Sequence, residues 1–325
     1  MKILTTDILT KLVDPSPRLS WITDWLLDDV WSTERFRSTT PEKYLTAGEN
    51  QVHALEELLA ASADRFYNEL AGAASQTKKL TERVTPDTAI VVFDGASIRE
   101  IPLFLEKAHQ SGYRVIERSY SFAALPSTTT DFVEQRLLGK AVAPKTLPQR
   151  KELKERKIKA FYFHDAISTN HITCAGTEQL LLWSSFPDVT YQDSESRFAR
   201  HFADMQQLYD TVWKNTVMQI PHDRRILITS DHGYIFFGTG VDSIRPNIAC
   251  ELLNQNRFRI FDQDENLPDQ SEIKDLQIFP ERRLAMLRGR LRNRPRGPAT
   301  NRVYRHGGLS LMEMLVPWII LEKEK

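Results

Sequence analysis

One stretch limits the folds open to this chain more than any other: Ile226-Leu-Ile-Thr-Ser-Asp-His-Gly-Tyr-Ile235. Three aliphatic residues run into two hydroxyls, then abruptly into a carboxylate, an imidazole and a glycine. A short apolar run without polar alternation reads as a strand buried on both faces, the habit of parallel sheets. Open α/β sheets bind ligands outside the carboxyl ends of their strands, which is where Asp231 and His232 stand. An adjacent Asp and His offer one oxygen and one nitrogen, a donor pair that suits zinc or manganese. Gly233 lets the backbone turn once the strand is spent. Taken alone, the stretch reads equally well as a strand followed by an ordinary polar turn.

Other parts of the chain repeat the pattern. Ala89-Ile-Val-Val-Phe93 is a second buried strand, and it ends in Asp94-Gly95. A helix over 97–110, closed by Gly112, leads to an alternating strand over 113–120, giving the strand-helix-strand unit of a parallel sheet. Asp94 and Asp231 converge if their strands are neighbours. Ala160-Phe-Tyr-Phe163 is a third strand; His164 and Asp165 stand at its end, and His171 follows. Leu125-Pro-Ser-Thr-Thr-Thr130 opens a helix that stops at Gly139. A hydroxyl in that place is a helix cap or a nucleophile held in positive potential. An amphipathic helix over 192–220 is stopped by Pro221, and a short strand follows over 235–238. Near the end, His306 precedes Gly307-Gly308, Ser310 starts a short helix, and 316–321 is a last strand.

Residues 1–85 read as helices whose apolar faces, including Trp21, Trp25 and Trp31, pack on a core; Thr85-Pro86-Asp87 marks the boundary to a domain over 86–325. With 43 basic and 43 acidic residues the net charge is zero, so no global field draws in nucleic acid or membrane. No apolar run reaches the 18 residues of a membrane span. Two cysteines, Cys174 and Cys250, speak against a disulfide framework and for a reducing, cytoplasmic setting. The basic run over 140–158 reads as a solvated face, with attraction of phosphate as the alternative. Residues 241–300 read as an irregular basic insertion. Nine arginines between Arg282 and Arg305 face a phosphate-bearing partner such as nucleic acid, or are merely solvated.

The order Asp94-Gly, Pro126-Ser-Thr-Thr129, Asp231-His232-Gly, His306-Gly-Gly-Leu-Ser310 resembles the PglZ domain of the alkaline phosphatase superfamily, over roughly residues 85–325. The resemblance implies an α/β fold with a mostly parallel central sheet flanked by helices, here preceded by an N-terminal helical region. It implies a site for one or two divalent ions, zinc first, with manganese or magnesium as alternatives. Carried over by position, Asp94, Asp231 and His232 bind one ion together with a nucleophile at Thr129, or at Thr128 if the turn is shifted by one. His306 serves a second ion. The family's remaining ligands are a pair spaced four apart after a strand. This chain departs from that spacing, offering Asp165 and His171, six apart. The implied activity is metal-dependent hydrolysis of phosphoric esters through a phospho-threonine, with phosphodiesters favoured over monoesters. The implied setting is a bacterial phage-defence system of the BREX or phage-growth-limitation type, alongside other proteins including a DNA methyltransferase. The alternative is a scaffold that keeps the metal and has lost the catalysis. Neither cysteine lies in the sequence context of a sulfatase nucleophile, and the chain has no room for the inserted domain of a phosphoglycerate mutase.

Overall fold

The computed structural model describes residues 10, 18–62, 64–173, 178–193, 200–237, 248–254, 256–291 and 304–324. Its centre is a six-stranded sheet in the order β2-β11-β5-β1-β4-β3. The strands are β1 (Thr88–Phe93), β2 (Tyr113–Phe122), β3 (Ile158–Phe163), β4 (Gln179–Ser184), β5 (Arg225–Thr229) and β11 (Leu315–Lys323). β5, β1, β4 and β3 pair in parallel, while β11 is antiparallel to both β5 and β2. β2 therefore points the same way as β1 but lies three places away. The strand-helix-strand unit expected over 89–120 is present, with β5 and β11 inserted between its two strands.

The middle strands are apolar because both faces of the sheet are covered. Along β1, Ala89, Val91 and Phe93 enter one core cluster while Ile90 and Val92 enter the other, as the two-residue period of a strand requires. On the first face lie the helices Ile101–Gln110 and Arg200–Asn215, with Phe93, Phe104 and Tyr209 packed ring against ring. On the second lie Phe132, Val133 and Leu137 from the segment after the hydroxyl-rich turn. Each end of the sheet carries a more exposed strand, and in β2 residues Arg114 to Arg118 face solvent.

The helices Arg18–Trp25, Thr33–Ser38, Pro41–Ser62 and Asp64–Gln76 join the first core cluster, contributing Trp25, Leu55, Phe66 and Leu70, with Trp31 from the turn between the first two. Polar ties reinforce that join. Glu49, fully buried on Pro41–Ser62, pairs with Arg99 at 2.8 Å and with Arg290 at 2.5 Å. Arg99 also donates to Tyr234 O at 2.7 Å.

Two expectations change. β4, an uninterrupted buried strand, was not foreseen; it separates β3 from β1 and displaces β3 to the far edge. The stretch over 241–300 is not irregular throughout. It contains a three-stranded antiparallel sheet, β7 (Phe258–Ile260), β9 (Leu284–Leu287) and β8 (Leu276–Phe279), with its own small core of Ala249, Cys250, Leu253, Phe261, Leu276, Ala285 and Leu287. A two-stranded ladder joins β6 (Ile235–Phe236) to β10 (Tyr304–Arg305). No helix among the described residues is long and apolar enough to cross a membrane. Cys250 is a buried free thiol, and Cys174 lies outside the described residues.

Candidate metal centre

The register of β1 and β5 creates the site. Val92 pairs with Thr229 across adjacent parallel strands, so Asp94 and Asp231, two residues further on in each, leave the sheet side by side. The Gly95 amide donates to Asp231 Oδ1 at 3.0 Å, and the Ala96 amide donates to Ser230 Oγ at 2.9 Å, lacing the two strand ends together. Trp183, at the end of β4, donates its indole N–H to Asp94 Oδ2 at 3.1 Å. Asp94 is thereby held through one oxygen, with the other turned towards the cleft.

The hydroxyl-rich turn resolves into two tasks. Thr128 is the helix cap: its hydroxyl accepts from the Asp131 amide at 3.3 Å and donates to the Asp131 carboxylate at 2.5 Å. Thr129 is left to face the cleft. Its Oγ1 lies 3.3 Å from Asp94 Oδ1 and 3.3 Å from His232 Nε2, and the residue is only partly buried. Gly139 closes the following π-helical turn with φ at 76°.

His232 and His306 stack with ring centroids 4.0 Å apart and planes 9° from parallel. His232 Nδ1 lies 3.0 Å from Gly233 O, and His306 Nδ1 lies 3.2 Å from Ser127 O. A carbonyl can only accept, so each Nδ1 carries a proton, and in the neutral imidazole Nε2 is the nitrogen left with a lone pair. Those lone pairs point among carboxylates: His232 Nε2 is 3.7 Å from Asp94 Oδ1 and 3.6 Å from Asp231 Oδ2, and His306 Nε2 is 3.9 Å from Asp188 Oδ1.

Left to itself, this arrangement is electrostatically costly. Asp231 Oδ2 is buried and has no hydrogen-bond partner. The Asp94 carboxyl is pushed well up by burial, and further by the Asp231 and Asp188 charges beside it. The His306 imidazole is pushed down by burial and by His232. Unprotonated nitrogens facing buried carboxylate oxygens are the donor set of a divalent cation. Asp94, Asp231 and His232 form one group able to hold an ion, and Asp188, His232 and His306 form a second; within each, the ligand atoms lie within 4.8 Å of one another.

Asp188 had been overlooked. It follows β4, and its amide donates to Asp94 O at 3.0 Å. Gly95, with φ at 76°, leaves it room, for a Cβ there would stand 2.9 Å from the Asp188 Cβ. The signal was available in Gln179-Leu-Leu-Leu-Trp-Ser184, an apolar run leading to Ser-Phe-Pro-Asp188. Asp165 and His171 take no part in either group. They follow the edge strand β3, one strand beyond β4. Asp165 bonds Ser168 Oγ at 2.8 Å and the Ile167 amide at 3.1 Å, local contacts that hold its pKa down, and His171 is exposed.

Four of the arginines over 282–305 make bonds within the protein. Arg282 donates to Leu125 O and Arg283 to Phe261 O, while Arg288 bonds Gln277 and Arg290 bonds Glu49 and Phe236 O. Arg288 and Arg290 are buried. Arg288 and Arg290 are thus withdrawn from the basic face expected over 282–305, Arg282 is exposed, Arg283 and Arg305 are half-buried, and residues 292–303 lie outside the described residues.

Among solved structures the chain is similar to phosphonoacetate hydrolase from Sinorhizobium meliloti 1021, in complex with phosphonoacetate, at 12% identity and a TM-score of 0.39, covering 72% of this chain and 90% of that one. It is similar also to murine ectonucleotide pyrophosphatase/phosphodiesterase 5, an inactive variant in complex with AMP, at 12% identity and a TM-score of 0.41, covering 72% and 87%. None of the curated proteins compared matches it. The family model described as the BREX system PglZ alkaline phosphatase-like domain matches residues 163–321, which hold Asp188, Asp231, His232 and His306. Over those residues the chain matches the PglZ alkaline phosphatase-like domain.

Proposed function

We propose that this protein is a metal-dependent phosphoric ester hydrolase in which Thr129 is the nucleophile. The observation that carries the reading is the position of Thr129 Oγ1, 3.3 Å from both Asp94 Oδ1 and His232 Nε2 at the mouth of a buried carboxylate-imidazole cluster. Asp94, Asp231 and His232 would hold one ion, and Asp188 with His306 would hold a second. Bound there, divalent ions neutralise phosphoryl oxygens and make a nearby hydroxyl more acidic.

The chain's own residues account for the remaining steps. Thr129 is exposed enough to meet a substrate, and Thr128 takes over the capping that would otherwise occupy its hydroxyl. Thr129 Oγ1 attacks phosphorus in line with the ester oxygen. The P–O bond to the leaving alcohol breaks as the bond to Thr129 forms, giving a phospho-threonine. Water then attacks the same phosphorus and releases Thr129 as a hydroxyl. Because their Nδ1–H groups are tied to backbone carbonyls, His232 and His306 keep their rings in place throughout.

Zinc suits the mixed nitrogen and oxygen donors, with manganese or magnesium as alternatives. The two groups share His232, so two ions would have five ligand residues between them. A phosphodiester, with one charge fewer than a monoester, asks for less neutralisation and is the favoured substrate class. The match to the BREX system PglZ domain supports a role in a BREX-type phage-defence system, with a DNA methyltransferase as the expected companion and the cytoplasm as the expected setting.

The deciding experiment is hydrolysis of a chromogenic phosphodiester by metal-stripped protein, with zinc, manganese or magnesium restored in turn and Thr129→Ala in parallel. Turnover that returns with metal and disappears in Thr129→Ala supports the reading. Turnover that survives in Thr129→Ala removes Thr129 as nucleophile. Tight metal binding without turnover on mono- or diesters favours the scaffold alternative.

A further inference from the structure

The two histidines come from loops more than 70 residues apart in sequence, yet both loops rest on the one short helix Leu311–Met314. Glu313 on that helix is fully buried, and its groups reach both loops. Its backbone carbonyl accepts from the Gly233 amide at 2.9 Å, directly after His232. Its Oε1 accepts from the Gly308 amide at 2.8 Å, two residues after His306. Its carboxylate is locked by Arg257, which donates from Nε to Oε1 at 2.5 Å and from Nη2 to Oε2 at 2.8 Å, a bidentate buried pair. Ser310 Oγ donates to Oε2 at 2.6 Å. The far side of the Arg257 guanidinium is used up on Leu291 O at 2.8 Å and Gly289 O at 2.6 Å.

Packing explains the glycines of both motifs. A Cβ at Gly233 would stand 2.1 Å from Met312 O, and one at Gly308 would stand 2.7 Å from Arg257 Nε and Nη2. The His232 loop is pressed on the helix backbone at Met312 and the His306 loop on the Arg257 side chain, so neither glycine leaves room for a side chain. The pair does not touch the carboxylates or Thr129 in any described contact; its bonds run to the backbone that carries the imidazoles.

We propose that Glu313, locked by Arg257, is a positioning residue that couples the two histidine loops and thereby sets the metal affinity of the centre. This rests on the metal reading given above. Outer contacts of this kind change metal affinity by about 10–100-fold when removed. Breaking half of a buried ion pair also leaves an uncompensated charge, so the variants are chosen to keep volume and polarity.

The test measures zinc affinity of metal-stripped protein by competition with a chromophoric chelator, well below each variant's melting temperature. Glu313→Gln and Arg257→Lys should each lower zinc affinity at least tenfold. Glu56→Gln is the control: Glu56 accepts from the Leu311 amide at 2.8 Å on the same helix but reaches neither histidine loop, and its loss should leave zinc affinity within about twofold. In a His306→Ala background, where the imidazole of the His232 loop remains, Glu313→Gln should still weaken zinc. Wild-type affinity in Glu313→Gln, an equal fall in Glu56→Gln, or no effect in the His306→Ala background overturns the coupling. If Glu313→Gln does not fold, Arg257→Lys and Ser310→Ala decide in the same terms. Wild-type protein that binds no zinc, manganese or magnesium overturns the metal reading itself and this inference with it, an outcome distinct from normal binding in both wild type and variant.

Discussion

The two halves of the candidate centre are built differently. Asp94, Asp231 and His232 leave the ends of adjacent central strands, are almost wholly withdrawn from solvent, and are laced together by amides of Gly95 and Ala96. Asp188 opens the short helix Asp188–Asp193 and His306 comes from a loop, with 13% and 29% of their side chains exposed. The inner half is positioned by sheet register, which cannot slip by one residue without turning a buried face outward. The outer half is positioned by side-chain and backbone bonds such as Ser127 Oγ to Gly308 O at 2.8 Å. Rigid ligands give up little freedom on binding an ion; loop ligands give up more. The inner position should therefore bind more tightly and matter more to turnover.

Replacing Asp231 by Asn is the severest test. Turnover of a phosphodiester should fall by about a thousandfold or more, as for loss of a principal electrostatic group, and one zinc ion should be lost per chain. Asp188→Asn should weaken only the second ion, by about 10–100-fold, the first binding as before. Equal losses of both ions in the two variants would show that the centre is one indivisible unit and end the distinction. Trp183→Phe sharpens the comparison from the inner side. It removes the indole donor to Asp94 Oδ2 while keeping an aromatic ring, and about a tenfold loss of zinc affinity is expected. If Trp183→Phe binds zinc normally, the sheet alone positions Asp94.

The smallest expected effect is on thermal stability against pH. In metal-free protein the raised Asp94 pKa makes a stabilising contribution that is fully present below the usual carboxylate pKa and lost as pH rises through the folded value. The lowered His306 pKa works in the opposite sense: its contribution is present above the usual imidazole pKa and lost as pH falls through the folded value. Zinc requires Asp94 deprotonated and His306 neutral. The zinc-induced rise in melting temperature should thus grow from pH 5 to pH 8, by several degrees (on the order of 1–2 kcal/mol). Scanning calorimetry with and without zinc reads it, and Asp94→Asn should flatten the Asp94 part of the slope. A zinc effect independent of pH would remove both groups as ligands.

The inner half was legible in the sequence for the same reason that it is rigid. Ile226-Leu-Ile and Ala89-Ile-Val-Val-Phe93 announce buried strands, and the abrupt polar residues after them can lie only at the sheet's carboxyl edge. The outer half was read less well. His306 stood out beside two glycines, but Asp188 is separated from β4 by Ser185-Phe-Pro187, and its place beside Asp94 depends on β4 entering the sheet next to β1. Periodicity reports that a segment is a strand, not which strand it will lie beside. Asp165 follows a strand just as Asp94 does, and only the strand order sends it to the edge. The arginine-rich segment was legible only in part. Charge in a sequence suggests exposure, yet Arg288 and Arg290 are buried because Gln277 and Glu49 wait for them across the fold.

The pairing of Glu49 with Arg99 and Arg290 bears on where this chain can be divided. By element type the natural cut lies near residue 85, between helices and sheet. By charge it is a poor cut. Glu49 is the counter-ion of two buried guanidiniums on the other side of it, and a fragment starting after residue 85 would have to drown those cations in water or refold around them. The helical region is as much a piece of the sheet domain's interior as the strands are, and a shorter protein made from this chain would need a substitute anion as well as a substitute surface.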